Sequence, residues 1–199
     1  MNSYSQFNID IYLVNLFKNK PEGFFIEAGA NDGVSQNNTF LLEKELHWKG
    51  MLIEPNPHAF SICSTHRNCI LENCALVPLD YKLDYIEGDF EQSTFAESMM
   101  GGCSSIHKKT TRAKACKLSD LLDKHNISKI DFFSIDVEGY EIEAMNGLDF
   151  ETHSPLYILY EDHEHRNVEY SQKFEDFFKN KNYKLYHQFS NNHYLFKLV

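Results

Sequence analysis

The chain is short of basic residues: 19 Lys and Arg stand against 29 Asp and Glu, a formal charge of −10. Binding to nucleic acid or an anionic membrane surface draws on clustered cations and counterion release, so this balance argues against DNA, RNA and anionic lipid as partners. Long apolar runs are missing too. The opening stretch MNSYSQFNIDIYLVNLFKNK has no basic leader, and Asn and Asp interrupt its apolar residues, so neither a signal peptide nor a membrane span is expected. Paired cysteines are absent. Cys63, Cys69, Cys74, Cys103 and Cys116 form an odd set with no C-x-x-C, the pattern of reduced thiols, and a cytoplasmic location is expected. Cys63, His66, Cys69 and Cys74 lack the paired spacing of a zinc site. With no secretion signal, the sequons at Asn37 and Asn126 read as chance matches.

What is present is a series of short apolar runs: FFIEA (24–28), MLIEP (51–55), CILENCAL (69–76), IDFFSID (130–136) and LYILYED (156–162). Continuous apolar runs without strict alternation suit strands buried on both faces of a parallel sheet. The spacers after the first two are long enough for crossover helices, with Phe40, Leu41, Leu42 and Leu46 on one and residues 58–65 on the other. Ile9, Tyr12, Leu13, Leu16 and Phe17 fall on one helical face before the first run. A helix over 168–180 is followed by YKLYHQF and HYLFKL around the turn-forming SNN, a hairpin signal. The expectation is one α/β domain over residues 1–199, a doubly wound sheet with ligands bound outside the carboxyl ends of its strands. Residues 87–117, rich in Gly, Ser and Thr and carrying Lys108, Lys109, Arg112 and Lys114, read as a lid or acceptor loop, with an ordinary surface excursion as the alternative.

The densest signal follows the first strand. In Gly29-Ala30-Asn31-Asp32-Gly33 the middle glycine that admits a pyrophosphate in G-x-G-x-x-G is an alanine, which disfavours a nicotinamide cofactor and a nucleotide-dependent oxidoreductase. Glu27 just before this turn suits a ligand bearing positive charge. Glu54 ends the second strand about 20 residues further on, where a carboxylate grips ribose hydroxyls. Together they ask for a nucleoside with a cationic, phosphate-free tail, a description that S-adenosylmethionine meets. The plain alternative is that each acid caps an exposed strand end.

The ordered stretches FFIEAGANDG, GMLIEPNP, NCAL, KLSDLL and IDFFSIDVEGYE, spread over residues 20–162, resemble the FkbM-type family of S-adenosylmethionine-dependent methyltransferases. The resemblance implies a class I methyltransferase (Rossmann-like) fold. Such a fold has a mostly parallel seven-stranded sheet with a C-terminal antiparallel hairpin and helices on both faces. It also implies O-methylation of a sugar, glycan or small glycoside. It places Glu27, Ala28, Gly29, Ala30, Asn31, Asp32 and Gly33 around the methionine part of the cofactor, with Asn38 and Thr39 supporting that loop or capping the next helix. Glu54, with Pro55 and Asn56 behind it, would take the ribose. Cys74, Ala75 and Leu76 would flank the adenine, with a core thiol as the alternative for Cys74.

SIDVEGYEIEAMNGL is the second dense signal. Asp136 ends a strand beside the expected sulfonium, whereas Glu141 in the first turn of a helix needs only the amides there. Proton removal from a hydroxyl needs a base, and YEDHEHR offers Glu161, His163 and His165 on one side of an extended stretch. His163 is the expected base and Asp136 the second choice. Asp136, Glu138 and Glu161 are hard oxygen donors that could hold Mg2+ or another divalent cation if they converge. The competing reading of the whole chain is a non-catalytic interaction protein that keeps the fold. Acceptor identity and oligomeric state are not written in the sequence.

Overall fold

A computed structural model describes residues 1–88, 90, 111–162 and 168–199, the last stretch with its side chains from 174 onward. A single 3-10 turn at Gln6–Asn8 leads into α1 (Ile9–Phe17). The chain continues through β1 (Phe24–Ala28), α2 (Phe40–Leu46), β2 (Lys49–Ile53), α3 (Pro57–His66), β3 (Ile70–Glu72) and β4 (Ala75–Leu76). Next come β5 (Tyr85–Gly88), β6 (Thr111–Cys116), α4 (Leu118–Lys124), β7 (Phe132–Ile135) and α5 (Glu141–Met145). The last elements are β8 (Tyr157–Glu161), α6 (Val168–Asn180), β9 (Tyr183–Gln188) and β10 (His193–Leu198).

Seven strands form one sheet in the order β3-β2-β1-β7-β8-β10-β9. The first five run parallel and the hairpin β9–β10 closes the edge antiparallel. This is the class I methyltransferase arrangement that the sequence implies. β7 and β8 are buried along their whole length, as continuous apolar runs require. Alternation splits the core by face. Phe25, Leu52, Phe132 and Leu159 pack with α1 and α2 through Ile9, Leu13, Leu41 and Leu42. Ile26, Ile53, Phe133 and Ile158 pack on the other face with Leu122 of α4, Met145 of α5 and Phe178 of α6.

Two expectations change. The run 69–76 is not one strand: β3 stops at Glu72 because Asn73 turns its amide back to the carbonyls of Glu54 and Pro55, at 2.7 and 3.3 Å, and β4 joins a second, three-stranded sheet. In that sheet β6 pairs parallel with β4 and antiparallel with β5, so both flanks of the expected lid are strands. The interior of that lid, with Cys103, Lys108 and Lys109, lies outside the described residues, and Arg112 stacks over Tyr85 at 3.9 Å. Among the described residues no helix is long and apolar enough to cross a membrane.

Candidate active site

The sheet changes direction of growth between β1 and β7, and the carboxyl ends of parallel strands at such a switch point open a crevice. β1 delivers Gly29 there, β2 Glu54, β7 Asp136 and β8 Glu161. The loop after β1 lies against its neighbours: Gly29 and Ala30 both donate to the Ile53 carbonyl, at 3.0 and 3.2 Å, and Asp136 donates to the Ala28 carbonyl at 3.1 Å. Gly29 has φ +83, and a Cβ on it would stand 1.8 Å from the Asp136 carbonyl oxygen. No side chain fits there. Gly33, at φ +80, makes room for Cys63 and Arg67. Both glycines therefore serve the approach of one protein segment to another, while Ala30 is buried in the core.

Glu27 is 4% exposed. One of its carboxylate oxygens accepts from the Asn38 amide at 2.8 Å and the other from the Thr39 hydroxyl at 2.5 Å. Burial pushes its pKa up against the opposing pull of Arg67 and these hydrogen bonds. The Asn38 side chain donates to Ser134 at 3.1 Å, which ties the loop to β7. Asp32 accepts from the Val34 and Ser35 amides and the Ser35 hydroxyl at 2.7–2.8 Å, closing a turn. Burial disfavours its charge, yet these bonds outweigh burial and hold its carboxyl below the usual range.

Arg67 supports the same loop, and nothing in the sequence pattern singled it out. Its buried guanidinium donates to the Gly33 carbonyl at 2.8 Å, Asn37 at 2.9 Å, Thr39 at 3.1 Å and Glu43 at 2.7 Å. A Coulomb partner for a buried Glu27 thus comes from the far end of α3.

Glu54 bridges two loops. Its oxygens accept from the Asn31 amide at 2.7 Å and the Asn56 amide at 2.8 Å, and it is 7% exposed. Burial raises its pKa, with Asp136 adding to the rise and the two backbone bonds opposing it. Asn56 caps α3 through the His58 and Ala59 amides, and Pro55 sits between the two. Each Glu54 oxygen keeps a second lone pair for a ligand hydroxyl. Cys74, Ala75 and Leu76 are buried, and the Cys74 thiol is hydrogen-bonded to Cys116, which together with burial drives its pKa up.

On the other side of the switch point, Asp136 is half-buried and hydrogen-bonded to Glu161. Two carboxyl groups can share a hydrogen bond only if one carries a proton. Burial raises the pKa of Glu161, His193 opposes the rise and Asp136 adds to it. Behind Glu161 stand His193, with Nε2 at 3.3 Å, and the Asn192 amide at 3.0 Å. The His193 ring in turn meets the Ser190 hydroxyl at 2.9 Å through Nδ1 and the edge of Phe7 at 5.1 Å. His193 escapes a linear reading because it reaches the site through the hairpin register, which sets it opposite Glu161.

Glu138 is exposed at φ 58. Glu141, fully buried, accepts from the Val137 and Gly139 amides at 3.0 Å and shapes the turn after β7. Among the described residues no group of three or more His, Cys, Asp or Glu is arranged to hold a metal ion, so the set Asp136, Glu138 and Glu161 does not assemble as one. His163 lies outside the described residues.

Comparison with known proteins gives three findings. No curated protein matches the chain. Among solved structures, it is similar to a precorrin-6y C5,15-methyltransferase from Geobacter metallireducens GS-15, at 11% identity and TM-score 0.49, over 94% of this chain and 86% of that one. It is also similar to a putative RNA methyltransferase from Pyrococcus horikoshii, at 12% identity and TM-score 0.47, over 97% of this chain and 83% of that one. A family model described as the methyltransferase FkbM domain matches residues 27–185, and the chain belongs to that family of methyltransferases.

Proposed function

We propose that this methyltransferase uses S-adenosylmethionine and delivers the methyl group to a hydroxyl oxygen of a sugar, glycan or small glycoside. The observation that carries the reading is the placement of Glu54 and Asp136 at the same carboxyl edge, on either side of the Gly29 turn. A methyl donor of this kind fits those residues: Glu54 keeps lone pairs for two ribose hydroxyls, and the acidic crevice suits a sulfonium and an ammonium. When bound, it supplies an electrophilic methyl group. Glu27, whose oxygens are already engaged by Asn38 and Thr39, shapes the loop that receives the methionine part and contributes negative charge from behind it.

The chemistry left to the chain is positioning and proton removal. Asp136 and Glu161 lie within hydrogen-bond reach of each other, so an ionised member of the pair would accept the acceptor's hydroxyl proton, and His193 and Asn192 hold Glu161 in place. This takes the base from the carboxylate pair, where Asp136 is the second choice of the sequence reading; His163, its first choice, lies outside the described residues. A sugar hydroxyl needs such a base because its own acidity is slight. The test is incubation with methyl-labelled S-adenosylmethionine and a panel of sugars and glycosides. Label should pass to one class of hydroxyl, and Asp136→Asn should lower transfer by at least ~100-fold, the usual scale of general-base catalysis. Undiminished transfer by that variant removes Asp136 from the mechanism, and no calorimetric affinity for S-adenosylmethionine removes the cofactor.

A further inference from the structure

The 3-10 turn ahead of α1 touches both sides of the switch point. Gln6 donates its side-chain amide to the Gln36 carboxamide oxygen, in the loop after β1, at 3.2 Å, while the Phe7 ring meets the His193 ring at 5.1 Å and 61°. Glu161 and His193 stand two residues from Leu159 and Leu195, so strand alternation puts them on the face of the sheet that carries α1. His193 Nε2 is 3.3 Å from Glu161, and Glu161 is hydrogen-bonded to Asp136. Two contacts therefore separate the Phe7 ring from the Glu161 carboxylate, no further than a stacked sugar and its hydroxyls can reach.

Phe7 is held out at this place against two preferences. Phenylalanine is usually buried, yet Phe7 is 55% exposed, and no other described phenylalanine is exposed. Its backbone has φ 53, with Asn8 at φ 56 behind it, and a bulky residue stays in the left-handed region only when its surroundings enforce it. Those surroundings are tied down. The fully buried Asp10 carboxylate accepts from the Ser3 and Ser5 hydroxyls and the Tyr4 amide at 2.6–2.9 Å, and Ile9 is sealed in the core. The chain is fixed on both sides of one protruding ring. Apart from the His193 contact, no ring or cation covers it among the described residues.

An open aromatic face at the mouth of a polar crevice suits a ligand that is apolar on one face and polar around its edge. A pyranose is such a ligand: its C–H groups pack on the electron-rich face of the ring while its hydroxyls point outward. Beside the ring, the half-buried Gln6 and the exposed Gln36 carry carboxamides that can donate to and accept from those hydroxyls.

We propose that Phe7 is the acceptor platform of this methyltransferase: a pyranose stacks on its ring, is met at its edge by Gln6 and Gln36, and turns one hydroxyl to Asp136 and Glu161. This deepens the sugar-acceptor reading of the site and rests on it.

The test uses the methyl glycosides of glucose, galactose, mannose and rhamnose on the full chain. Phe7→Trp adds an exposed indole to a chain whose one tryptophan, Trp48, is buried. With S-adenosylhomocysteine present, at least one glycoside should change its fluorescence saturably, whereas wild-type protein should give no such change. Phe7→Gly removes the ring and suits the left-handed backbone, so its urea midpoint should not fall below that of the wild type. Its KM for the same glycoside should rise at least ~10-fold, with kcat within about threefold and S-adenosylmethionine affinity within about twofold. Phe7→Tyr, which keeps the ring, should hold KM within about threefold of wild type. An unchanged KM in Phe7→Gly, or a fall in kcat alone, would make Phe7 a packing neighbour of His193 and overturn the platform. No saturable response in Phe7→Trp, or a stronger response to 4-methylphenol than to any glycoside, would overturn it equally. A wild type that binds S-adenosylmethionine but methylates none of the glycosides would instead remove the sugar reading itself, and the platform with it.

Discussion

The carbonyl oxygen of Asp136 occupies the place where any side chain on Gly29 would begin, 1.8 Å from the ideal Cβ position. The two loops that frame the switch point are therefore fitted to each other before any ligand arrives. Gly29→Ala meets two costs at once: a backbone in the left-handed region, about 1–2 kcal/mol for a residue with a Cβ, and a clash with backbone that cannot swing aside. We expect a loss of at least ~3 kcal/mol in urea denaturation, from strain plus displacement of the Asp136 loop. Gly33→Ala should cost less than Gly29→Ala, because its Cβ would meet side-chain atoms, Cys63 Sγ at 2.7 Å and Arg67 Cγ at 2.8 Å, and not backbone, yet more than the left-handed strain of about 1–2 kcal/mol alone, since both side chains are buried. Equal losses in the two variants would show that backbone strain alone decides.

Arg67→Met tests the buried support beneath the loop. Methionine fills much of the volume but takes the guanidinium donor away from Glu43, Asn37, Thr39 and the Gly33 carbonyl. Removing one member of a buried ionic network costs about 3–5 kcal/mol, and that is the expected fall in stability. The pKa of Glu27 should climb further, since Arg67 is the largest force holding it down. A variant as stable as wild type would show that packing over Phe25 and Phe40 is the main use of this residue.

Much of this fold is legible in the sequence because burial on both faces leaves a plain mark. Ile26, Met51, Phe133 and Ile158 sit in unbroken apolar runs and come out as the central strands. The carboxyl-edge acids Glu27, Glu54 and Asp136 are readable because each directly follows or ends such a run. Relations that depend on where distant segments land are not. Arg67 looks like one more residue after a helix until Gly33 folds onto it, and His193 becomes a neighbour of Glu161 only through the register of the closing hairpin. The break at Asn73 is equally silent, since it depends on carbonyls of the preceding loop.

Glu54→Gln separates cofactor binding from loop support. The carboxylate accepts from both Asn31 and Asn56, and an amide has one oxygen and one donor group, so one backbone N–H loses its acceptor. A stability loss of about 1–3 kcal/mol follows from an unsatisfied buried donor. Under the proposed function the affinity for S-adenosylmethionine should also fall at least ~10-fold, about 1.4 kcal/mol for one lost charge-assisted bond. Calorimetry reads both the affinity and the stoichiometry. Affinity within twofold of wild type in a folded variant would take Glu54 out of the cofactor site.

His193→Gln addresses the carboxylate pair. Loss of the imidazole at 3.3 Å removes a group that opposes the rise in the pKa of Glu161, so a larger share of the pair is fully protonated at a given pH. Because His193 touches Glu161 and no proposed cofactor group, affinity for S-adenosylmethionine should stay within twofold. Methyl transfer should fall at least ~10-fold, with the fall reduced at higher pH where the pair regains its ionised member. A pH-independent defect would assign His193 to packing against Phe7.

The same pair shapes stability against pH. Glu161 has a folded pKa raised above its ordinary value of 4.5, so between that value and the raised one the native state binds more protons than the unfolded chain. The slope of stability with pH is then negative for this group: its favourable contribution is complete below 4.5 and is lost as pH rises through the folded value. Glu27 and Glu54 act in the same direction, while Asp32 and Glu72, both held below their ordinary range, contribute above it and lose their share on acidification. Glu161→Gln carries no proton to lose and cannot repel Asp136. Its stability relative to wild type should therefore improve steadily as pH is raised from 4.5, read from urea midpoints at matched ionic strength. A difference that stays constant across that range would mean that Asp136 and Glu161 titrate as though they were apart.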